Sequence, residues 1–248
     1  MRIDLNADVG EECGQDEALM RCITSANIAC GLHAGNRAVM RDTVRLARDH
    51  GVAIGAHPGF DDREHFGRRD LQLPPDQITD LVVRQIEALA EIATDAGLRL
   101  QHVKAHGALY NIAVRDRRVA DAIARATKSV DSSLILLGLP GSELIAAAEA
   151  ARLRAAREAF ADRAYRPDGT LVPRTEPGAV IHDPAGVLSR VVDLARRPDV
   201  DTMCVHGDTP GAAELASQIR AALEAAHIRL APFGDQRASE HLPDHRLR

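Results

Sequence analysis

Five short stretches of this chain bring acids, amides, an ammonium group and imidazoles into positions where chemistry could use them. "DVGEE" supplies Asp8, Glu11 and Glu12, and "GLHAGN" supplies His33 and Asn36. "GAHPGFDD" adds His57, Asp61 and Asp62. "KAHGALYN" adds Lys104, His106, Tyr110 and Asn111, and "VHGDTPGA" adds His206 and Asp208. Only 11 of 248 residues are histidine, yet four of these stretches carry a His followed closely by Gly or Pro. Two chemistries fit such a set. In the first, three N or O ligands hold a zinc-like ion and leave one position for water. No H-E-x-x-H is present, and His102 and His106 on one extended strand stand about 13 Å apart, too far to share an ion. A metal site would therefore have to be assembled across strands, and its ligands stay unassigned. In the second, Asp8 or a histidine activates water without a metal. Lys104 and backbone N–H groups of the Gly-rich loops then stabilise a tetrahedral oxyanion.

The elements that carry these stretches alternate regularly. Short apolar or alternating runs at 2–8, 26–31, 52–57, 101–106, 133–138, 156–160 and 202–206, with a weaker one at 228–231, read as strands. Helical patterns fall between them at 37–50, 76–96, 117–129, 141–152, 184–196 and 211–227. The clearest, 76–96, follows Pro74-Pro75, places Ile78, Leu81, Val82, Ile86, Leu89, Ile92 and Ala93 on one face, and stops before Gly97. Strand–helix alternation of this kind predicts an α/β fold: a closed or nearly closed (β/α) barrel of about seven parallel strands, with an open doubly wound sheet as runner-up. Functional residues of such folds collect at the C-terminal ends of the strands, where His33, His57, His106 and His206 stand.

Strand parity adds a second prediction. Asp4, Asn6 and Asp8 share one face, as do His102, Lys104 and His106, and Thr202, Cys204 and His206. Helices outside a barrel need the apolar set, so these polar sets point inward, acids from the first strand meeting cations from the fourth. Asp4 and His102 lie deep and read as structural. Cys30 reads as a small core residue, and Glu11 and Glu12 as ordinary charges at a helix N-terminus.

Composition removes several function classes. The net charge is −5 and aromatics make up 2%, so neither a basic stripe nor a base-stacking surface is available for nucleic acid. The longest apolar run, "LILLGL" at 134–139, is far too short to cross a bilayer. Four cysteines without a C-x-x-C pair fit free thiols in a reducing cytoplasm. Charged residues from Arg2 onward read against a secretory signal. No G-x-G-x-x-G follows the first strand, and no Walker A loop occurs. Residues 1–233 are expected to form a single barrel domain, and the polar segment 234–248 a flexible tail.

Six motifs, in order and over nearly the whole chain, resemble the LamB/YcsF family of 5-oxoprolinase A subunits. They are "IDLNADVGE", "SANIACGLHAGN", "GVAIGAHPGF", "HVKAHGALYN", "FADRAYRPDGTLVPR" and "CVHGDTPGA". The resemblance implies a distorted barrel akin to glycoside hydrolase/deacetylase barrels. It also implies ATP-dependent opening of 5-oxo-L-proline to L-glutamate with separate B and C subunits. ATP, as Mg-ATP, would be a co-substrate, bound here or on those partners. On this view Asp8 or His33 is the base, and His57, His106 or His206 the acid or an orienting group. Lys104, Arg163 and Arg174 meet the carboxylate or phosphate, with Asn6, Asn111 and Asp208 also contacting substrate. Three positions depart from the pattern: Asn36 where an acid is common, Gly59 where Ser is common and Ala105 where Pro is common. Two other readings fit the residues: a metal-dependent deacetylase-like hydrolase that needs no ATP, and a non-catalytic lactam-binding subunit.

Overall fold

The strands close on themselves, and that closure decides which side chains meet. The computed structural model describes residues 1–232, so the proposed tail, 234–248, lies outside the described residues. The strands are β1 (Arg2–Val9), β2 (Ser25–Ala29), β3 (Ala53–His57), β4 (Leu100–Val103), β5 (Ile135–Gly138), β6 (Arg154–Phe160), β7 (Thr202–Val205) and the two-residue β8 (Arg229–Leu230). Neighbours from β1 to β7 pair in parallel, and β1 also pairs with β7, giving a seven-stranded barrel. β8 adds only to Arg2 and Ile3, at the start of β1. The closure excludes the open doubly wound sheet.

Helices α1 (Asp16–Met20), α2 (Arg37–His50), α3 (Pro75–Asp95), α4 (Gly107–Ala113), α5 (Arg117–Val130), α6 (Glu143–Ala150), α7 (Pro184–Arg196) and α8 (Ala212–Ala225) accompany the barrel. Local chemistry starts them where the sequence indicates. Asn36 caps α2 by accepting from the N–H groups of Ala38 (2.8 Å) and Val39 (3.1 Å). This gives the departure at position 36 a structural role. Asp183 does the same for α7, with Pro184 at the first helical position. The predicted apolar face of α3 is buried from Ile78 to Ala93 and packs beside α5. Each such Leu or Ile contributes about 1.5–3 kcal/mol. Among the described helices, none is long and apolar enough to cross a membrane.

Some boundaries differ from the sequence reading. β4 stops at Val103 rather than running to 106, although Lys104 N–H still bonds the Ala56 carbonyl (3.0 Å) and His106 N–H the Pro58 carbonyl (2.8 Å). Helix α4 begins at Gly107, so Tyr110 and Asn111 sit on a helix rather than in a loop. This helix is absent from the helical patterns of the sequence. The short α1 was not anticipated either. After β6, the chain folds back on itself through the antiparallel bridges Arg163–Val180 and Tyr165–Leu171.

The barrel interior follows the predicted parity. Asp4, Asn6 and Asp8 face inward, while Ile3, Leu5, Ala7 and Val9 are buried in the apolar core. In-register parallel neighbours share a face, so β2 contributes Ser25 and Asn27, β3 Gly55 and His57, and β7 Thr202 and Cys204. The β5–β6 side is different: Ile135, Leu137 and Ala156 form a small apolar cluster separate from the main core. Glu158, further along β6, instead joins the hydrogen-bonded groups of the interior.

Candidate active site

The interior polar groups stack in layers from floor to mouth. At the floor, Asp4 does not meet the buried cation expected for it. Its Oδ1 accepts from the hydroxyls of Thr24 (2.7 Å) and Ser25 (2.6 Å), and its Oδ2 from Thr202. Burial raises its carboxyl to about 6, with these hydroxyls acting in the opposite direction. One layer up, Asn6 donates to Thr202 (2.7 Å) and Glu158 (3.1 Å), while Asn27 donates to Asn6 (2.7 Å) and Asp8 (2.8 Å). His102 completes this layer through Nε2 to the Asn27 side-chain oxygen at 2.8 Å. Its ring occupies the space beside Gly55, where a Cβ would lie 2.2 Å from it. Glycine at 55 is what lets the imidazole cross the interior.

Lys104 forms the next layer. Its Nζ lies 2.9 Å from each of Asp8 Oδ1, Glu158 Oε1 and Cys204 Sγ. Burial disfavours the ammonium, but Asp8, Cys204 and Glu158 outweigh that and hold Lys104 well above its ordinary value. Burial likewise works against ionised Asp8, and Lys104, His57 and His206 overcome it, holding Asp8 well below the usual carboxylate range. Glu158 is raised, chiefly by burial. Asp8 is therefore the anion of this layer and a weak base.

Above Lys104 the interior opens into a pocket. Its lining includes Asp8, Glu11, His57, Arg68, Lys104, His106, Asn111, Arg163, Arg174, His206 and Asp208. His206 Nδ1 lies 2.9 Å from the Asp162 carboxylate, which accepts a hydrogen bond from Nδ1–H and leaves the lone pair on Nε2. Burial would raise Asp162, but His206 and Arg174 outweigh it and hold the acid low. This is the acid–imidazole pairing of a general base. Phe160 stacks on the His206 ring, with centroids 5.1 Å apart.

A second imidazole cluster, His33, His57 and His106, gathers around Glu11 on the other strand ends. Glu11 is buried, so it is not the exposed helix charge expected of it. Burial, Asp8 and Asp208 push its carboxyl well above the ordinary range. His33 is 1% exposed, bonds Glu11 through Nε2 at 3.3 Å and is absent from the pocket lining. Its ring fills the space beside Gly59, where a Cβ would approach Nδ1 to 2.6 Å. A serine there would force this ring to shift.

The structure thus brings Asp8, His57, Lys104, His106 and His206 together at one pocket. Asn111, Arg163, Arg174 and Asp208 also line it, whereas Asn6 lies below its floor and His33 behind its wall. Arg163 is buried, with Nε and Nη2 bonded to the carbonyls of Ala179 (3.1 Å) and Val172 (2.6 Å). Asp208 pairs with Arg68 and lies 3.8 Å from Arg174. Sequence reasoning missed Glu11, Asn27, Arg68, Glu158 and Asp162 as members of this site. Asn27 and Glu158 were reachable by extending the parity rule to β2 and β6. Asp162 lies two residues beyond the expected end of β6, in the region where the other strands had revealed their histidines.

Residues 3–238 match the LamB/YcsF family model. The A subunit of 5-oxoprolinase from Methylococcus capsulatus (strain Bath) is 50% identical, over 94% of this chain and 96% of that protein. The crystal structure of a lactam utilization protein from Thermus thermophilus superposes with a TM-score of 0.86 at 42% identity, covering 93% of this chain and 99% of that one. A family 4 carbohydrate esterase from Streptomyces lividans, at 12% identity and a TM-score of 0.50 over 92% of this chain and 91% of that one, shares the fold alone. This chain belongs to the LamB/YcsF family.

Proposed function

We propose that this chain is the A subunit of a 5-oxoprolinase, a hydrolase that opens the cyclic amide 5-oxo-L-proline to L-glutamate. Family membership and the 50% identical relative that bears this name support the reading. The observation that carries it is the make-up of the pocket. A buried His206–Asp162 pair shares it with Lys104 and with Arg68, Arg163 and Arg174. The imidazole suits activation of water, and the guanidinium groups suit a carboxylate or phosphate. Burial and the neighbouring Arg174 push Arg163 down to about 10, the mark of a positive wall that an anion would relieve.

A five-membered lactam is an unreactive amide, so phosphorylation of its oxygen by ATP makes a better electrophile. The chain has no Walker A loop, and activation is assigned to the B and C subunits. In this subunit His206 Nε2 takes a proton from water as the oxygen adds to the ring carbonyl carbon. Lys104 faces the negative oxygens of the resulting tetrahedral adduct. The ring C–N bond then breaks, the nitrogen takes up a proton, and the acyl phosphate left behind is hydrolysed by a second water to the carboxylate and phosphate. Asp8 keeps Lys104 charged and in place. This assigns the base to His206 rather than to Asp8, whose ionised form is too well stabilised, or to His33, which does not reach the pocket.

Glutamate release from 5-oxo-L-proline tests the reading, measured for this chain alone and with B and C, with and without ATP. Release only from the complete mixture with ATP is the expected result. ATP-independent deacetylation by the isolated chain would favour the deacetylase-like alternative. Lactam binding with turnover unaffected by D162N and H206A in the full complex would favour a delivery subunit.

A further inference from the structure

Two imidazoles in the Glu11 cluster are held in tautomers that leave them in conflict. His57 Nδ1 lies 2.8 Å from the Lys104 carbonyl oxygen, and His106 Nε2 lies 2.8 Å from the Phe66 carbonyl oxygen. A carbonyl only accepts, so each of these nitrogens carries the proton. The other nitrogens, His57 Nε2 and His106 Nδ1, then present lone pairs, and they face each other at 2.9 Å. Glu11 Oε1 adds a third electron-rich atom, 3.4 Å from His106 Nδ1 and 3.8 Å from His57 Nε2. All three side chains are buried. Three acceptors converging on one point call for a cation between them.

The ring geometry separates ligands from support. The His57 and His106 rings are perpendicular, at 88°, so their in-plane lone pairs can meet. His33 instead stacks on His106, centroids 3.8 Å apart and planes 4° apart, so those two lone pairs run in parallel planes. His33 donates Nε2–H to Glu11 and leaves Nδ1 without a partner. We propose that Glu11 Oε1, His57 Nε2 and His106 Nδ1 form a three-ligand site for a divalent transition metal such as zinc, with His33 positioning Glu11. Ligands on bonds of about 2.1 Å lie about 3.0–3.4 Å apart in octahedral or tetrahedral shells, close to the spacing here. Imidazoles anchored by backbone carbonyls are the usual orientation of metal-bound histidine. The three side chains line the same pocket as His206, so a fourth position opens toward substrate. When bound, the ion would supply a Lewis acid or an activated water. A second group of donors, Asp8, Cys204 and His206, does not compete, because Lys104 Nζ already lies 2.9 Å from both Asp8 Oδ1 and Cys204 Sγ.

The site rests on donor geometry and shares only its pocket with the lactam reading. The test is therefore made on the isolated chain. The chain is stripped with chelator, reloaded with zinc, manganese or cobalt(II), and assayed by elemental analysis, cobalt absorption and melting temperature. One equivalent per chain is expected for at least one ion, with a cobalt d–d spectrum and a raised melting temperature. E11Q and H106A, checked for folding by circular dichroism, should bind at least tenfold more weakly. H33A should weaken binding about tenfold, and H50A, at an exposed helix end, should change nothing. Less than a tenth of an equivalent with all three ions overturns the proposal, and so does unchanged binding in folded E11Q and H106A. Loss of binding in H50A would also overturn it, placing the ion on the surface. A negative result leaves glutamate release by the complex to be judged separately.

Discussion

Asp4 and Asp8 sit on one face of one strand, both buried, four residues apart. Their surroundings drive them in opposite directions. Asp4, at the barrel floor, has only hydroxyls for partners, and burial lifts it to about 6. Asp8, at the mouth, meets Lys104 and two histidines and is held far below. Burial costs both carboxylates. What separates them is that a cation repays the cost and neutral hydroxyls do not. The floor acts as a clamp joining β1, β2 and β7, whereas the mouth holds charge in the pocket.

That contrast can be broken by substitution. The largest effect is expected at the mouth. D8N should lower glutamate release by the reconstituted complex by about 10²–10³-fold, because Lys104 loses its main counter-charge. Activity within threefold of wild type would remove Asp8 from the site. Next comes the acid behind the proposed base. D162N should cost about 100-fold in kcat with little change in KM, because the His206 tautomer is no longer fixed. A rise in KM alone would instead make Asp162 a binding residue.

At the floor the expectation is stability rather than turnover. The folded Asp4 pKa, about 6, lies above the unfolded value of 3.8. Its contribution is fully present below pH 3.8 and is lost as pH rises through 6. Denaturation curves of wild type relative to D4N should therefore fall by on the order of 2–3 kcal/mol between pH 4 and 7, with kcat of D4N near wild type. A flat difference would mean that Asp4 does not titrate as its surroundings require. His102, depressed to about 3 chiefly by burial, works the other way. Its stabilisation is present above pH 6.5 and is lost as pH falls toward 3, so H102Q should flatten that acid limb. The smallest effect is expected from G55A, which pushes a methyl into the His102 ring. It should destabilise by about 1–3 kcal/mol, read from the denaturation midpoint, with turnover per folded molecule preserved.

Much of this design was legible in the chain. Alternation with period two assigned Asp4, Asn6 and Asp8, His102 and Lys104, and Thr202 and Cys204 to one interior, because successive strand residues point to opposite faces. Strand–helix alternation gave the barrel, and Gly or Pro after a strand-end histidine marked the mouth. These are properties of neighbours along the chain, and local sequence determines them. Partner identity is not such a property. Nothing in "RIDLNADV" says that Asp4 meets Thr202 from 198 positions away while Asp8 meets Lys104 from 96 away. Glu11 reads as a helix-end charge until closure of the barrel buries it among three histidines. Likewise, the lone pairs of His57 and His106 acquire a direction only when the carbonyls of Lys104 and Phe66 accept hydrogen bonds from their N–H groups. Register and closure decided those contacts, and through them which acids are ionised, which imidazole has a carboxylate behind it and where donor atoms converge.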